Sequence, residues 1–403
     1  MAVRIVQVLV SVLFIVSGIV KANDPQGLSF KMQEFFEVWN ADLASGGFFA
    51  KNFFISLFEY LHQHSLFLSV TMITLEIMAG VALLLGWKKK FILWLLLVLI
   101  LFFSFLTAYA YLSTNPDGSP KFTNCGCFGD CIPLQPRTSF LKDLALLALI
   151  IFLLAGQRFI QPVLSKGIRT IVLATTLLLS LLLQWYVLNY LPLADCLPFR
   201  KGNNLPEKMK PPKNSIPSVY ETRLVYRNTR TGEKKDMSQD DFNQSRIWED
   251  PSWKWDTTIT KLVRKGNDIP EIQGFSLMGQ EYMDSTSGSM IKPDSTTTIL
   301  NQPKAILGFG LDGAGEDWLK DFKSLVAVAN RKNIPVYFTS NNPGAFQKLF
   351  ASNGIVIPVF STDFTVIRTA ARTNPAFYLL KQGTVVEKYS YRQLEALSEQ
   401  IEK

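Results

Sequence analysis

The chain is poor in the residues that most often carry chemistry. It has 4 cysteines and 2 histidines in 403 residues. The histidines, His62 and His64, form one HxH pair with no third ligand in view. That excludes a haem held between spans, and the pair reads as solvated residues rather than a metal site. A Cys-x-x-Cys pair is missing throughout, and residues 199–403 contain no cysteine, so that half cannot exchange a disulfide by itself. A basic stripe is also missing. The net charge of +8 is shared between the two halves, which gives no support to a nucleic-acid footprint. Charge disappears altogether between Phe91 and Pro116.

What is present in place of charge is long apolar sequence. About 20 apolar residues cross a bilayer. Five stretches approach that length: Val3–Val20, Leu66–Gly86, Phe91–Leu112, Phe140–Ala155 and Ile168–Leu191. The fourth is short and carries Lys142 and Asp143 at its start, so it spans if those two sit at the interface. The first reads as a span and not a removed signal, because Ile19-Val20-Lys21-Ala22 is a poor cleavage site. Trp87-Lys88-Lys89-Lys90 and the segment holding Arg158, Lys166 and Arg169 place two connections and the N-terminus in the cytoplasm. Lys21–Ser65, Ser113–Ser139 and everything after Pro192 are then expected on the outer side. Phe30–Trp39 and Phe48–Leu61, rich in aromatics at helical spacing, read as interfacial amphipathic helices.

All four cysteines fall on that outer side. Three stand in Asn124-Cys125-Gly126-Cys127-Phe128-Gly129-Asp130-Cys131, and the fourth, Cys196, follows the fifth span. Disulfide chemistry is permitted there and rare in the cytosol. Four readings remain open: a Cys125/Cys127 redox centre with Cys131 or Cys196 resolving; structural disulfides, with Cys131–Cys196 as one pair; a four-thiolate zinc site, for which the CxC spacing is tight; and inert thiols. The first is preferred, with no metal. Glu76 lies near the middle of the second span, where an ionisable group is expensive and by default functional. Its expected partners are Gln184 and the hydroxyls of Thr71 and Thr74. Gly18, Gly80 and Gly86 permit close helix packing.

These residues carry a resemblance. Arg4…Phe14…Ser17-Gly18…Lys21 looks like the opening of the DoxX family, and Leu75-Glu76…Gly80…Leu85-Gly86 resembles its second span. Cys125-Gly126-Cys127-Phe128-Gly129 followed by Ser139-Phe140…Lys142-Asp143 is similar to the MauE branch. The resemblance covers residues 1–156 and implies a four-helix membrane bundle. It also implies a link to maturation of a disulfide-rich methylamine dehydrogenase subunit, or to membrane redox complexes including thiosulfate:quinone chemistry. A fifth span and a large outer domain depart from that pattern.

Asn203–Pro217, with its prolines, reads as an extended linker. Strands are expected at Glu221–Asn228, Glu233–Met237 and Trp253–Val263. From Pro303 onward, strands and helices alternate in the order β-α-β-α-β-α-β-β-α, which resembles thioredoxin-like domains. Thr373-Asn374-Pro375-Ala376-Phe377 stands where that fold keeps its cis-proline. Asp312-Gly313-Ala314-Gly315-Glu316-Asp317 stands where thioredoxins keep their cysteines.

The sequence therefore predicts an α-helical membrane bundle joined to an α/β thioredoxin-like soluble domain. The expected divisions are 1–156 (bundle), 157–198 (fifth span), 199–265 (linker and small β-rich segment) and 266–403 (thioredoxin-like domain). The resemblance implies a bacterial-type inner membrane. The expected function is thiol–disulfide redox or maturation of envelope proteins through Cys125 and Cys127, with Glu76 handling protons and the Pro375 edge binding a partner by strand addition. The alternative is a non-enzymatic anchor that presents a thiol-free docking domain. No cofactor motif is present, and quinone is the natural acceptor within a bilayer. The expected partners are the lipid bilayer and an envelope client or redox protein.

Overall fold

The computed structural model describes residues 1–47, 49–115, 119–122, 126, 129, 131, 132, 134–264, 266–283 and 290–403. Cys125 and Cys127 therefore lie outside the described residues. Among those described, five helices are long and apolar enough to cross a membrane: α1 (Ala2–Ala22), α4 (Ser65–Leu84), α5 (Lys89–Leu112), α6 (Pro136–Ala155) and α7 (Lys166–Tyr190). The protein is a multi-pass membrane protein. α2 (Pro25–Ser45) and α3 (Lys51–Gln63) lie between the first two spans, where amphipathic helices were expected. Asp24 caps α2 by accepting from Gly27 N–H at 2.9 Å, with Pro25 at the first helical position.

α1 packs on α4, α5 on α6, and α7 on α4. Small residues set the first of these contacts. A Cβ on Gly18 would lie 2.5 Å from Ile77 Cγ1, and one on Gly80 would lie 2.9 Å from the Ser11 carbonyl oxygen. The two helices therefore meet nearly backbone to backbone. At one end of the bundle Gln7 donates to the Leu83 carbonyl at 2.6 Å, and Lys89 donates to that of Ile160 at 2.9 Å. This end carries the basic connections. The other end carries α2, the cysteine loop and the rest of the chain.

Beyond α7 the chain joins a five-stranded sheet of order β10-β9-β6-β7-β8. Its strands are β6 (Ala305–Gly310), β7 (Val336–Ser340), β8 (Val359–Ser361), β9 (Ala376–Lys381) and β10 (Thr384–Ser390). β6 pairs parallel with β7 and antiparallel with β9, and every residue of β6 is buried, as suits a central strand covered on both faces. α11 (Leu319–Arg331), α12 (Pro343–Ser352) and α14 (Leu394–Glu402) cover one face through Trp318, Phe322, Phe350 and Leu397. α10 (Thr296–Leu300) and α13 (Phe364–Ala370) cover the other. This is the expected strand–helix alternation, and the Asn374–Pro375 peptide is cis.

One expectation is corrected. The segment predicted to be an extended linker begins inside the α/β core. Phe199 and Leu205 are 1% and 0% exposed, and the short α8 (Leu205–Lys208) is tied down where Leu205 N–H donates to the Gly383 carbonyl. Apolar side chains between the prolines and lysines outweigh the linker-like composition. The chain then leaves the core to form a separate sheet of order β2-β1-β3 from β1 (Val219–Asn228), β2 (Lys234–Ser238) and β3 (Trp253–Arg264), with α9 (Gln239–Ser245) beside it. It returns at Ile272, Phe275 and Leu277, which rejoin the core. A two-residue pair, β4 (Tyr282–Met283) with β5 (Met290–Ile291), follows.

Candidate functional site

The loop between α5 and α6 is fastened at both ends. Thr114 bridges Pro120, and Lys121 N–H donates to the Ser113 carbonyl at 3.1 Å. Phe122 is 1% exposed and stacks on Phe35 of α2 at 4.5 Å. Lys121 pairs with Asp42 at 2.5 Å, and the Tyr109 hydroxyl donates to the same carboxylate. Lys121 first, then Tyr109, hold the Asp42 carboxyl below its ordinary value. At the far end Cys131 and Cys196 form a disulfide that joins chain positions 65 residues apart. Asn23 steadies the second strand of this junction, donating to the Ala194 carbonyl at 2.8 Å and accepting from its N–H at 3.0 Å. With these two sulfurs bonded to each other, the four-thiolate zinc reading is excluded.

Between these anchors the described residues Gly126 and Gly129 take positive φ of 67° and 59°, conformations that favour glycine. Gly129 N–H donates to the Gly126 carbonyl at 3.0 Å. A Cβ on Gly126 would lie 3.0 Å from the Lys31 side chain, and one on Gly129 would lie 3.8 Å from the Val20 carbonyl oxygen. The loop thus rests on the end of α1 and the start of α2.

A group of buried charges lies beneath it. Glu76 is 1% exposed and pairs with Lys21, 3% exposed, at 2.5 Å. The Ser17 hydroxyl donates to the other Glu76 oxygen at 3.3 Å. Asp143, 1% exposed, pairs with Lys142 at 2.8 Å and accepts from the Thr107 hydroxyl at 3.0 Å. Both pairs line one small cavity of about 30 Å³. Lys21 also lines a second cavity, of about 20 Å³, whose wall includes Thr107, Lys31 and Gly126. Lys21 therefore borders both the cavity it shares with Glu76 and the largely apolar one whose wall includes Lys31 and Gly126.

The partners proposed for Glu76 from sequence are corrected. Gln184 donates to Thr74 at 3.0 Å and to its own helix, and Thr71 bonds the Phe67 carbonyl; Lys21 and Ser17 reach Glu76 instead. Ser17 and Lys21 are four residues apart, hence on one helix face, and that spacing was the available signal. His62 bonds Glu37 at 3.0 Å, and His64 stacks on Tyr60.

The α/β domain meets the bundle through charge. Arg372 pairs with Asp24 at 2.8 Å, Arg368 donates to Gln33 at 2.6 Å, and Lys388 pairs with Asp195 at 2.6 Å. Asn374 ties the proline turn to the loop after β6 by exchanging hydrogen bonds with Leu311 at 2.8 and 3.0 Å. Pro375 is itself buried. The residues just before Pro375 are engaged with α2 and with the domain interior in this arrangement.

A multi-pass helical membrane region carrying a thioredoxin-like α/β domain is thus the class this fold defines. Residues 1–156 match the family described as methylamine utilisation protein MauE, so the membrane region is MauE-like. The matched range includes Lys21, Glu76, Gly126 and Asp143. Among solved structures, a thiol:disulfide interchange protein from Bacteroides sp. is similar at 9% identity with a TM-score of 0.24, covering 32% of this chain and 87% of its own. A protein of Neisseria meningitidis described as a candidate thioredoxin is similar at 12% identity with a TM-score of 0.22, covering 31% and 88%. A comparison with curated proteins returned no match.

Proposed function

We propose that this protein takes part in thiol–disulfide redox or maturation of envelope proteins, with Cys125 and Cys127 as the exchanging pair on the outer side of a cytoplasmic membrane. The observation that carries the reading is the buried Glu76–Lys21 pair, whose lysine also lines the cavity that Gly126 borders. A purely structural bundle would be more stable with apolar residues in those positions. In this reading a client thiolate attacks the CxC disulfide, a second client thiol resolves the mixed disulfide, and the client gains one S–S bond. The loop is left as two thiols. Its reoxidation releases two electrons and two protons to an acceptor, with Lys21 and Glu76 placed to handle the protons. Cys131–Cys196 serves as a staple, and the α/β domain is the docking module.

The test is the redox state of the cysteines in cells, trapped with a membrane-impermeant mass-tagging alkylator. Cys125 and Cys127 are expected to be partly reduced, reachable from outside and responsive to the redox poise of the membrane, while Cys131 and Cys196 stay oxidised. Invariantly oxidised Cys125 and Cys127, or full function in a Cys125→Ser, Cys127→Ser variant, would favour the anchor reading instead.

A further inference from the structure

The three-stranded sheet β2-β1-β3 is an insertion into the α/β domain, held at its base by a narrow neck. Asn267 N–H donates to the Ile216 carbonyl at 3.0 Å, and Ile216 N–H donates to the Asn267 side chain at 2.6 Å. The Ser218 N–H and hydroxyl donate to Asp268 at 3.2 and 3.0 Å. β3 is 12 residues long and pairs with β1 along one edge. Among the described residues its other edge pairs with no strand. A free edge of that length is a template for another chain.

The two faces of this sheet differ. α9 covers one of them: the Phe242 ring centre lies 5.5 Å from that of Tyr226, and the Ser245 hydroxyl donates to the Met237 sulfur at 3.6 Å. Met237 stands opposite Leu224, so the even-numbered residues of β1 face α9. Lys254, Ile259, Lys261 and Arg264 of β3 stand opposite Arg227, Arg223, Glu221 and Val219, all odd-numbered, and therefore share the face that α9 leaves open. All four are exposed. Trp255, opposite Tyr226, is on the α9 face and still 61% exposed.

Charge on the three strands is one-sided, with seven Lys and Arg against three Asp and Glu. Each of those carboxylates already has a cation on the sheet. Glu221 and Asp236 pair with Arg223 at 3.4 and 2.9 Å, and Asp256 pairs with Lys234 at 2.9 Å. Lys254, Lys261 and Arg264 have no ion pair among the described residues. Lysines on an edge strand also discourage aggregation, but that role gives no reason to leave Trp255 and Ile259 exposed beside them.

We infer that the free edge of β3 binds an extended acidic segment of a partner protein, added to the sheet as a further strand. Acidic side chains at alternate positions would lie along Lys254, Lys261 and Arg264. The apolar side chains between them would lie beside Trp255 and Leu262, on the α9 face. Lys254 and Lys261 are separated by about 23 Å of strand, so a segment of about eight residues spans them. The inference rests on the docking role given to the α/β domain above, and not on thiol exchange.

The experiment uses the full chain in phosphatidylcholine nanodiscs and a fluorescent peptide of about eight residues, alternating Asp and Val, with a photoreactive group at one end. Saturable binding is expected, with cross-links on β3. Only alternate N–H groups of an added strand face its neighbour. Of two peptides N-methylated at every Asp or at every Val, one should therefore bind about tenfold more weakly and the other should not. In the Lys254→Glu, Lys261→Glu variant, both at exposed positions, the Asp peptide should bind about tenfold more weakly and a Lys/Val peptide should bind in its place. Absence of saturable binding of the Asp peptide overturns the inference. Equal binding of the two methylated peptides also overturns it, by marking a cationic surface without strand addition. Copies of the chain cross-linked through β3 before peptide is added would give the edge to a second copy and overturn it as well. The assay reads binding without thiol chemistry, so its failure leaves the redox reading standing, and a failure of thiol exchange leaves this one standing.

Discussion

The two halves of the molecule treat buried charge in opposite ways. The bundle places Lys21, Glu76 and Asp143, each at most 3% exposed, among its apolar helices. Among the described residues the main core of the α/β domain has none, and there Trp318, Phe322, Phe338 and Phe377 pack on one another. Its own well-buried cations, Arg372 and Lys388, face outward to Asp24 and Asp195 at the bundle. Desolvating an ion costs several kcal/mol before any partner repays it. The bundle carries that cost in its interior, where it adds nothing to docking. The α/β domain carries it at the junction, where docking is the evident return.

The sharpest way to break this contrast is at Glu76. Glu76→Ala leaves the Lys21 ammonium buried and unpaired, and is expected to destabilise the bundle by about 3–5 kcal/mol, read from unfolding in mild detergent. The double variant Lys21→Met, Glu76→Leu should recover most of that loss. If the charges serve chemistry, the double variant should remain folded and lose at least tenfold in turnover of Cys125 and Cys127. A folded double variant with unchanged turnover would make the pair a packing device, and the contrast with the α/β domain would lose its functional meaning.

Much of this architecture was legible in the sequence, for a physical reason. A span announces itself through about 20 apolar residues in a row, and α4 (Ser65–Leu84) ends within two residues of the predicted stretch. The alternation of short strands and amphipathic helices after Pro303 was equally plain, because both periodicities survive in a fold covered on two faces. What the sequence hid were long-range pairings. Lys21 reads as an interfacial charge ending an apolar run, yet its side chain reaches Glu76, 55 residues away. Phe199 and Leu205 sit among prolines and lysines, and only the sheet they pack against shows them to be core. The cis-proline at 375 was placed correctly in the topology, but the pairing of nearby Arg372 with Asp24, 348 residues earlier in the chain, was not legible.

That same contact gives an intermediate test. Asp24 caps α2 and pairs with Arg372, which is 5% exposed. Arg372→Ala should weaken docking of the α/β domain by about 1.5–3 kcal/mol, the range for a hydrogen bond to a charged group. Faster proteolysis within 191–198, the stretch that joins α7 to the α/β core, with an unchanged unfolding transition of the α/β domain, would show that the charge serves the junction alone. An equal loss in the domain's own transition would mean that Arg372 belongs to its core, and the two halves would then be less different than they look.

The smallest effect is expected at Lys388, where pH can tell the two kinds of buried charge apart. Burial pushes its ammonium below the usual 10.5, while Asp195 beside it pulls the other way. A lysine whose folded value is depressed binds its proton less readily in the folded state than in the unfolded one. Stability therefore rises with pH between the lowered folded value and 10.5. Tyr378, whose ring lies 5.0 Å from Lys388 Nζ, is raised well above 10.0 by burial, so its contribution falls as pH climbs past that point. Unfolding of the α/β domain measured from neutral pH to just below 10 should thus show a shallow upward slope that Lys388→Met removes. A flat profile over this range, unchanged in the variant, would mean that Asp195 offsets or outweighs desolvation. Lys388 would then be a stabilising ion pair at the junction, and the charges of the bundle interior would stand alone as the ones held at a net cost.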